Sequence, residues 1–234
     1  MSTLAKLAAT AALGFLVGRL SAEPQIRKLR SLLKLALYIA GHDRLTGLPN
    51  RFLAAQVFTL RELRAQPTLV ALLDLDRFKD INDTHGHHVG DHVLRTVARR
   101  LATAAKAHSG TAARLGGDEF LLIFPADGND HTDSITAIQH TLVQPATITT
   151  DDGDITVHAS ASVGSAVFDG THGTFNTLLR NADIALYHAK QQSGSHQTYS
   201  PDMHMPAPAD GLHHPRLRDQ HPGNASQATG EVIP

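Results

Sequence analysis

The segment Thr68–Leu75 reads TLVALLDL, an unbroken aliphatic run that ends in an acid. An apolar run this short, with no helical spacing of polar residues, reads as a buried strand. Around 111–125, two more strand-like runs flank Gly116-Gly117 and read as a hairpin. The segment ATITTDDGDITVHA sets Asp152-Gly153 between two β-rich runs, a second hairpin, and 159–168 reads as a further strand. Helical spacing is expected over 50–65, over 91–107 with Leu94, Val97 and Leu101 on one face, and over 131–143. It is also expected over 175–191, with Leu178, Leu179, Ala182, Ala185, Leu186 and Ala189 inward. These elements form a compact α+β domain over 42–200. Within the 234 residues, that leaves extensions at both ends. Beyond Pro201 the chain is rich in Pro, His, Asp and Gly without an apolar period, and 201–234 is expected to be a disordered tail.

Composition narrows the function classes. Hydrophobic residues make up 41%, enough for a packed core. The 21 Lys and Arg balance 22 Asp and Glu, so no global field recruits nucleic acid. There is no cysteine, which excludes disulfides and thiolate-bound metals. The 16 histidines are scattered, and the group His85, His87, His88 and His92 lacks zinc-ligand spacing and reads as solvated loop.

The N-terminus allows three readings. Residues 7–18 are uncharged and mostly apolar, with Lys6 and Arg19 at the flanks. The run is shorter than the ~18–20 residues that span a bilayer, but Leu4, Ala5 and Leu20 with two snorkelling cations bring it close. A membrane anchor, a signal peptide or a soluble helix would each fit. Arg19, Arg27, Lys28, Arg30 and Lys34 follow the run, and the positive-inside rule would then leave the rest of the chain in the cytoplasm. Residues 1–24 are therefore taken as an apolar helix and possible anchor. Residues 25–41 are taken as a helical stalk, with Ile26, Leu29, Leu33, Ala36 and Ala40 at three- and four-residue steps. An amphipathic helix packed on its own domain is the alternative.

Three acidic features stand out: Asp74-Leu75-Asp76 at a strand end, Asp118-Glu119 behind paired glycines, and Asp91 at a helix start. Strand alternation turns Asp74 and Asp76 to one side. A strand-end carboxylate opposite a hairpin carboxylate suits a hard cation that prefers one or two carboxylates plus phosphate oxygens. Gly116 and Gly117 let backbone approach a bulky ligand. Solvated acidic turns are common, however, and these residues alone describe only a plausible cation–phosphate site.

Longer strings carry a family resemblance. Asp43-Arg44-Leu45-Thr46-Gly47-Leu48-Pro49-Asn50-Arg51 resembles the entry signature of GGDEF domains. The string from Asp74 to Asp83, then Gly86-His87 and Gly90-Asp91, resembles their nucleotide-binding segment. Arg114-Leu115-Gly116-Gly117-Asp118-Glu119-Phe120 is similar to the signature turn. Ser162-Val163-Gly164 and the string from Asn181 to Lys190 resemble the closing strand and helix. Order and spacing agree over about 42–200, so the chain resembles a diguanylate cyclase.

The resemblance implies a palm-like α+β fold: a central, mostly antiparallel five-stranded sheet flanked by helices, preceded here by an N-terminal helix. It implies condensation of two GTP into cyclic di-GMP with release of two pyrophosphates, across a homodimer. Asp74 and Asp118 would bind Mg²⁺ or Mn²⁺, with the Leu75 carbonyl assisting. Glu119 would act as a further metal ligand or as acceptor of the 3′-hydroxyl proton. Asn82 and Asp91 would read guanine, the carboxylate accepting protons that adenine lacks. Phe78, Lys79 and the catalytic Lys190 would hold phosphate or orient the loop, Gly116 and Gly117 would lie under the phosphates, and Arg114 would join the substrate-binding set. Phe78 as core, Lys79 as a solvated lysine and Arg114 as a strand-surface charge are the alternatives. A domain that consumes GTP belongs in the cytoplasm, tethered to the inner face of the membrane if 4–20 insert.

Two departures bear on activity. The positions of the family's Arg-x-x-Asp inhibitory site hold Ala107, His108, Ser109 and Gly110, so product inhibition through that site is not expected. After Lys190 the family commonly continues x-x-Gly-Arg, whereas this chain has Gln191-Gln192-Ser193-Gly194-Ser195, one residue longer and without the arginine. A phosphate contact would be missing. That keeps a rival open, a non-enzymatic GGDEF domain that binds GTP or a protein.

Overall fold

The computed structural model describes residues 3–126, 131–150 and 153–205, with the side chains of 4–6, 8–22 and 131–132 outside the description. The chain divides into two units, 1–42 and 43–234.

The first unit is one helix, α1 (Thr3–Gly41), which runs on through Pro24 where the sequence suggested two segments. From Glu23 to Ala40 its side chains are exposed, Leu29, Leu33 and Leu37 by more than half. Among the described residues no helix is long and apolar enough to cross a membrane. The anchor expected at 7–18 falls, Leu7 apart, on side chains outside the description, as does the tail beyond 205.

The second unit is built on β1 (Thr68–Leu75), buried along both faces except at Asp74. The other strands of its sheet are β2 (Thr111–Gly116), β3 (Glu119–Pro125), β6 (Ala161–Phe168) and β7 (His196–Thr198), in the order β2-β3-β1-β6-β7. All pairs are antiparallel except β6 with β7. The mostly antiparallel five-stranded sheet expected from the resemblance is the one observed. The second hairpin forms a separate two-stranded sheet, β4 (Ala146–Thr150) with β5 (Gly153–Val157).

Alternation along β1 sorts the core into two layers. Leu69, Ala71, Leu73 and Leu75 face α4 (His87–Ala107) through Val93, Leu94, Val97 and Leu101, and α5 (His131–Leu142) through Ile135, Ile138 and Leu142. Val70 and Leu72 face α2 (Arg51–Glu62) through Ala54 and Phe58, and α6 (Phe175–Ala189) through Leu178, Leu179, Ala182 and Leu186. Each fully buried Leu contributes roughly 1.5–3 kcal/mol. Asn50 and Thr174 start α2 and α6 as N-caps, accepting from Leu53 N and Thr177 N.

The segment after β1 differs from expectation. A short helix, α3 (Phe78–His85), precedes α4, which begins at His87 rather than at Asp91. Gly86, at φ 82°, supplies the left-handed hinge between them. His85, His87, His88 and His92 are exposed as expected, but they lie on these helices and not on a loop, because the Gly86 turn takes a single residue.

Gly164 sets how closely α6 approaches the sheet, because a Cβ there would collide with Leu186 N and Ala182 O of the helix backbone. Neither atom can swing aside. Gly164→Ala is expected to cost about 1–3 kcal/mol in chemical denaturation, by prising α6 off β6.

Candidate active site

The site lies at the C-terminal end of β1. Register pairs Asp74 with Glu119 of β3 on one side and with Ser162 of β6 on the other. Directly paired residues present side chains to the same face, so Asp74 and Glu119 share one face of the sheet. The Glu119 Oε2 atom is buried. Asp118 sits in the turn between β2 and β3, and its carbonyl accepts from Leu75 N at 3.4 Å, tying the turn to the end of β1. The Leu75 side chain is core, so only its backbone can serve the site. Asp76 continues the strand end, held by Ser160 Oγ at 2.9 Å and Ser162 Oγ at 2.7 Å.

Both turn glycines lie at positive φ, Gly116 at 147° and Gly117 at 52°, next to a register shift between Arg114 and Gly116. Nothing lies within 4 Å of where a Gly117 Cβ would stand, so the turn presents bare backbone. Arg114 fixes it. Its Nε and Nη2 donate to Gly117 O at 3.0 and 2.7 Å, and its Nη1 donates to Asp43 Oδ1 at 2.9 Å. Asp43 Oδ1 also accepts from Thr46 N and Thr46 Oγ1. Arg114, expected against the substrate, thus spends these donors on the protein and clamps the turn to the entry segment 43–46. The aspartate-to-threonine turn was legible, since Asp side chains close such turns locally. Its partner 71 residues on was not.

The remaining residues divide between helix and turn. The Asp74 carboxylate is paired with Lys190, Nζ to Oδ2 at 2.7 Å, and that lysine caps α6. Asn82 on α3 packs against Gly90 on α4, where a Cβ would strike Asn82 Oδ1 and crowd Phe78. Gly90 is therefore what lets α3 seat Asn82 closely on α4, one residue before Asp91, a role its motif position did not reveal. Asp91 lies 3.9 Å from Arg95 across a helix turn. The Phe78 side chain is buried in the α4-side core, which leaves its backbone, at the start of α3, as the part able to meet a ligand. Lys79 is exposed.

Charge is distributed unevenly. Burial, and then the neighbouring Asp74 carboxylate, push the Asp118 carboxyl above its usual range, against the smaller pull of backbone, Lys190 and Arg114. At Asp43 burial is again the largest single influence, but hydrogen bonds from Thr46 and Arg114 together outweigh it and hold that carboxyl below its usual range. Among the described residues no three His, Asp or Glu groups converge on a point that could hold a metal ion as they stand. The donor set still fits a hard divalent cation. Its members are carboxylate oxygens, Asp74 raises the proton affinity of Asp118, and Mg²⁺ asks for only one or two such ligands beside phosphate.

These opposite shifts predict opposite stability effects. Asp118 favours the fold when protonated and loses that contribution as pH rises through its raised pKa, so Asp118→Asn should raise the melting temperature at neutral pH. Asp43 favours the fold when ionised and loses that contribution as pH falls through its lowered pKa. Asp43→Asn should cost about 1–2 kcal/mol at neutral pH. Both differences should close in melts run toward acid pH.

Comparison with known proteins points to one family. The family model for the diguanylate cyclase GGDEF domain matches residues 40–196. MucR of Pseudomonas aeruginosa, a bifunctional diguanylate cyclase/cyclic di-GMP phosphodiesterase, is 38% identical over 205 residues, covering 81% of this chain and 28% of MucR. The response regulator PleD of Caulobacter vibrioides is 36% identical over 166 residues, 69% of this chain and 36% of PleD. The chain therefore spans little more than a third of PleD and less of MucR. Among solved structures, the coiled coil and GGDEF domain of DgcB from Caulobacter crescentus, in complex with c-di-GMP, superposes with a TM-score of 0.68 at 27% identity, covering 78% of this chain and 98% of that one. A family-model match over 40–196, more than half of the chain, makes it a member of the diguanylate cyclase GGDEF-domain family.

Proposed function

We propose that this chain condenses two GTP molecules into cyclic di-GMP. The observation that carries the reading is the register of Asp74 against Glu119, with Asp118 in the adjoining turn and Lys190 beside them. One copy holds one GTP. In a pair of facing copies, each 3′-hydroxyl attacks the α-phosphorus of the opposite nucleotide. Two 3′-O–P bonds form, two α–β phosphoanhydride bonds break, and two pyrophosphates leave. A second copy is needed because two sites must meet, and proximity then supplies much of the rate. The exposed apolar side chains of α1 support its use as the stalk that pairs two copies.

Each residue has a task. Asn82 and Asp91 hold guanine, Asp91 accepting the N1 and N2 protons, which selects GTP over ATP. The bare Gly116–Gly117 backbone admits the phosphates, and the amides at the start of α3 face them, as helix N-termini suit anions. Asp74 and Asp118, with the Leu75 carbonyl, hold the divalent ion, Mg²⁺ or Mn²⁺. Bound there, it neutralises phosphate charge and acidifies the attacking hydroxyl. Glu119 would take the 3′-hydroxyl proton or complete the ion's ligands. Arg114 keeps the turn in register. The site belongs in the cytoplasm, where GTP is available.

The purified 234-residue chain incubated with GTP and Mg²⁺ should yield cyclic di-GMP by liquid chromatography, with a rate per protein that climbs with concentration. Asp74→Asn and Glu119→Gln should each lower the rate by about 10²-fold or more, the scale of a lost charge-stabilising group. Asp91→Asn should erode the preference for GTP over ATP. A wild-type chain that forms no cyclic dinucleotide where dimers are present would leave the rival, a GTP-binding or partner-binding domain without catalysis.

A further inference from the structure

The ion pair between Lys190 and Asp74 uses an oxygen that the proposed reading assigns to a cation. The Lys190 ammonium is 2.7 Å from Asp74 Oδ2, with the two side chains 34% and 14% exposed. This is a partly sheltered contact, not a solvated surface pair. The lysine backbone is fixed: Lys190 N donates to Leu186 O at 2.9 Å, and the preceding Ala189 is fully buried. Any change of partner must therefore come from the flexible side chain alone. The local charge is also unbalanced. Asp74 and Asp118 bring two neighbouring carboxyl groups, and Arg114 is committed to Asp43 and Gly117. One ammonium does not neutralise this group, and the like-charge effect of Asp74 on Asp118 persists beside it.

We propose that Lys190 is a displaceable counter-ion, which holds the Asp74 carboxylate until a divalent cation claims that oxygen and then turns to the nucleotide's phosphates. The inference rests on the reading of the site as one for GTP and a divalent ion. A dication brings more charge to the carboxyl group than the ammonium does, so the exchange relieves the imbalance. The released ammonium is then next to the anion that most needs it. Cation and nucleotide thereby favour each other through Lys190, beyond any direct contact between them. Because the cation must first displace the lysine, its affinity in the absence of nucleotide is lowered by the fraction of molecules in which Asp74 is already taken.

The test is a titration of the nucleotide-free 234-residue chain with Mn²⁺, counting free ion by electron paramagnetic resonance. Lys190→Gln should bind Mn²⁺ about five- to tenfold more tightly than wild type, the factor by which a partner occupying most of the population weakens binding. Lys190→Arg, which keeps the charge, should remain near wild type, and equal melting temperatures would show that the variants are folded. With an unreactive GTP analogue present, the gain in Mn²⁺ affinity that the analogue gives should shrink in Lys190→Gln by a similar factor. Equal or weaker Mn²⁺ binding by Lys190→Gln overturns the inference, as does Mn²⁺ binding that Asp74→Asn leaves untouched, which would also remove the metal reading. The expected Mn²⁺ pattern in a chain that makes no cyclic dinucleotide would support the inference while overturning the catalytic reading.

Discussion

The burial of β1 on both faces is the constraint from which the rest follows. A strand with helices above and below has no freedom of register, because a slip of one residue would turn Leu69, Ala71, Leu73 and Leu75 from the α4 layer into the α6 layer. The same slip would swing Asp74 into the α4 core. Fixing the hydrophobic layers therefore also fixes which carboxylate stands opposite Glu119. The aim of the site and the packing of the core are one decision, made along eight residues. Gly164 contributes from the neighbouring strand, since the close seat of α6 on β6 decides where Lys190, at the end of that helix, can reach.

Electrostatics at the site runs against stability. Like charges are held near one another in a half-buried place, a cost that a structural turn has no reason to bear. Two cations limit it by different means. Arg114 is a planar fork with three of its nitrogens placed on Asp43 and Gly117, so it serves as framework. Lys190 is a point charge on a flexible stem, so it can serve as an occupant. The opposed shifts of Asp43 and Asp118 record the difference: one carboxyl is satisfied by donors, the other is crowded by burial and a like charge.

Local pattern made much of this legible. The run at 68–75, the glycine turn at 116–117 and the apolar face of 175–189 are short-range signals, and the structure has a strand, a hairpin and a helix there. The break between α3 and α4 was missed because 79–88 is polar and exposed apart from Ile81 and Asn82, so no apolar period marks two helices. Strand β7 is three residues long and pairs parallel to β6, too short to carry a period of its own. In the site, residue types and order could be read from the chain, but partners could not. Arg114 with Asp43 and Lys190 with Asp74 are contacts of tertiary structure, and each gives a cation a protein partner that its sequence neighbours do not reveal.

The irregular stretch after Lys190 has a physical answer in the same terms. Ser195 N donates to Gln192 O, Ser195 Oγ donates to Ala189 O, and Gln139 of α5 donates to the carbonyls of Gly194 and Ser195. Val163 N donates to Ser195 O, and the chain then enters β7 beside β6. The extra residue is thus absorbed in a hydrogen-bonded turn that leaves the end of α6, and with it Lys190, in place. What the stretch does not restore is the arginine's charge. On the proposed reading, a triphosphate at this site would draw its neutralisation from fewer cations. That burden would fall on Lys190, whose ammonium stands 2.7 Å from Asp74, and would give the proposed exchange of that lysine between Asp74 and phosphate more weight here than beside an intact arginine.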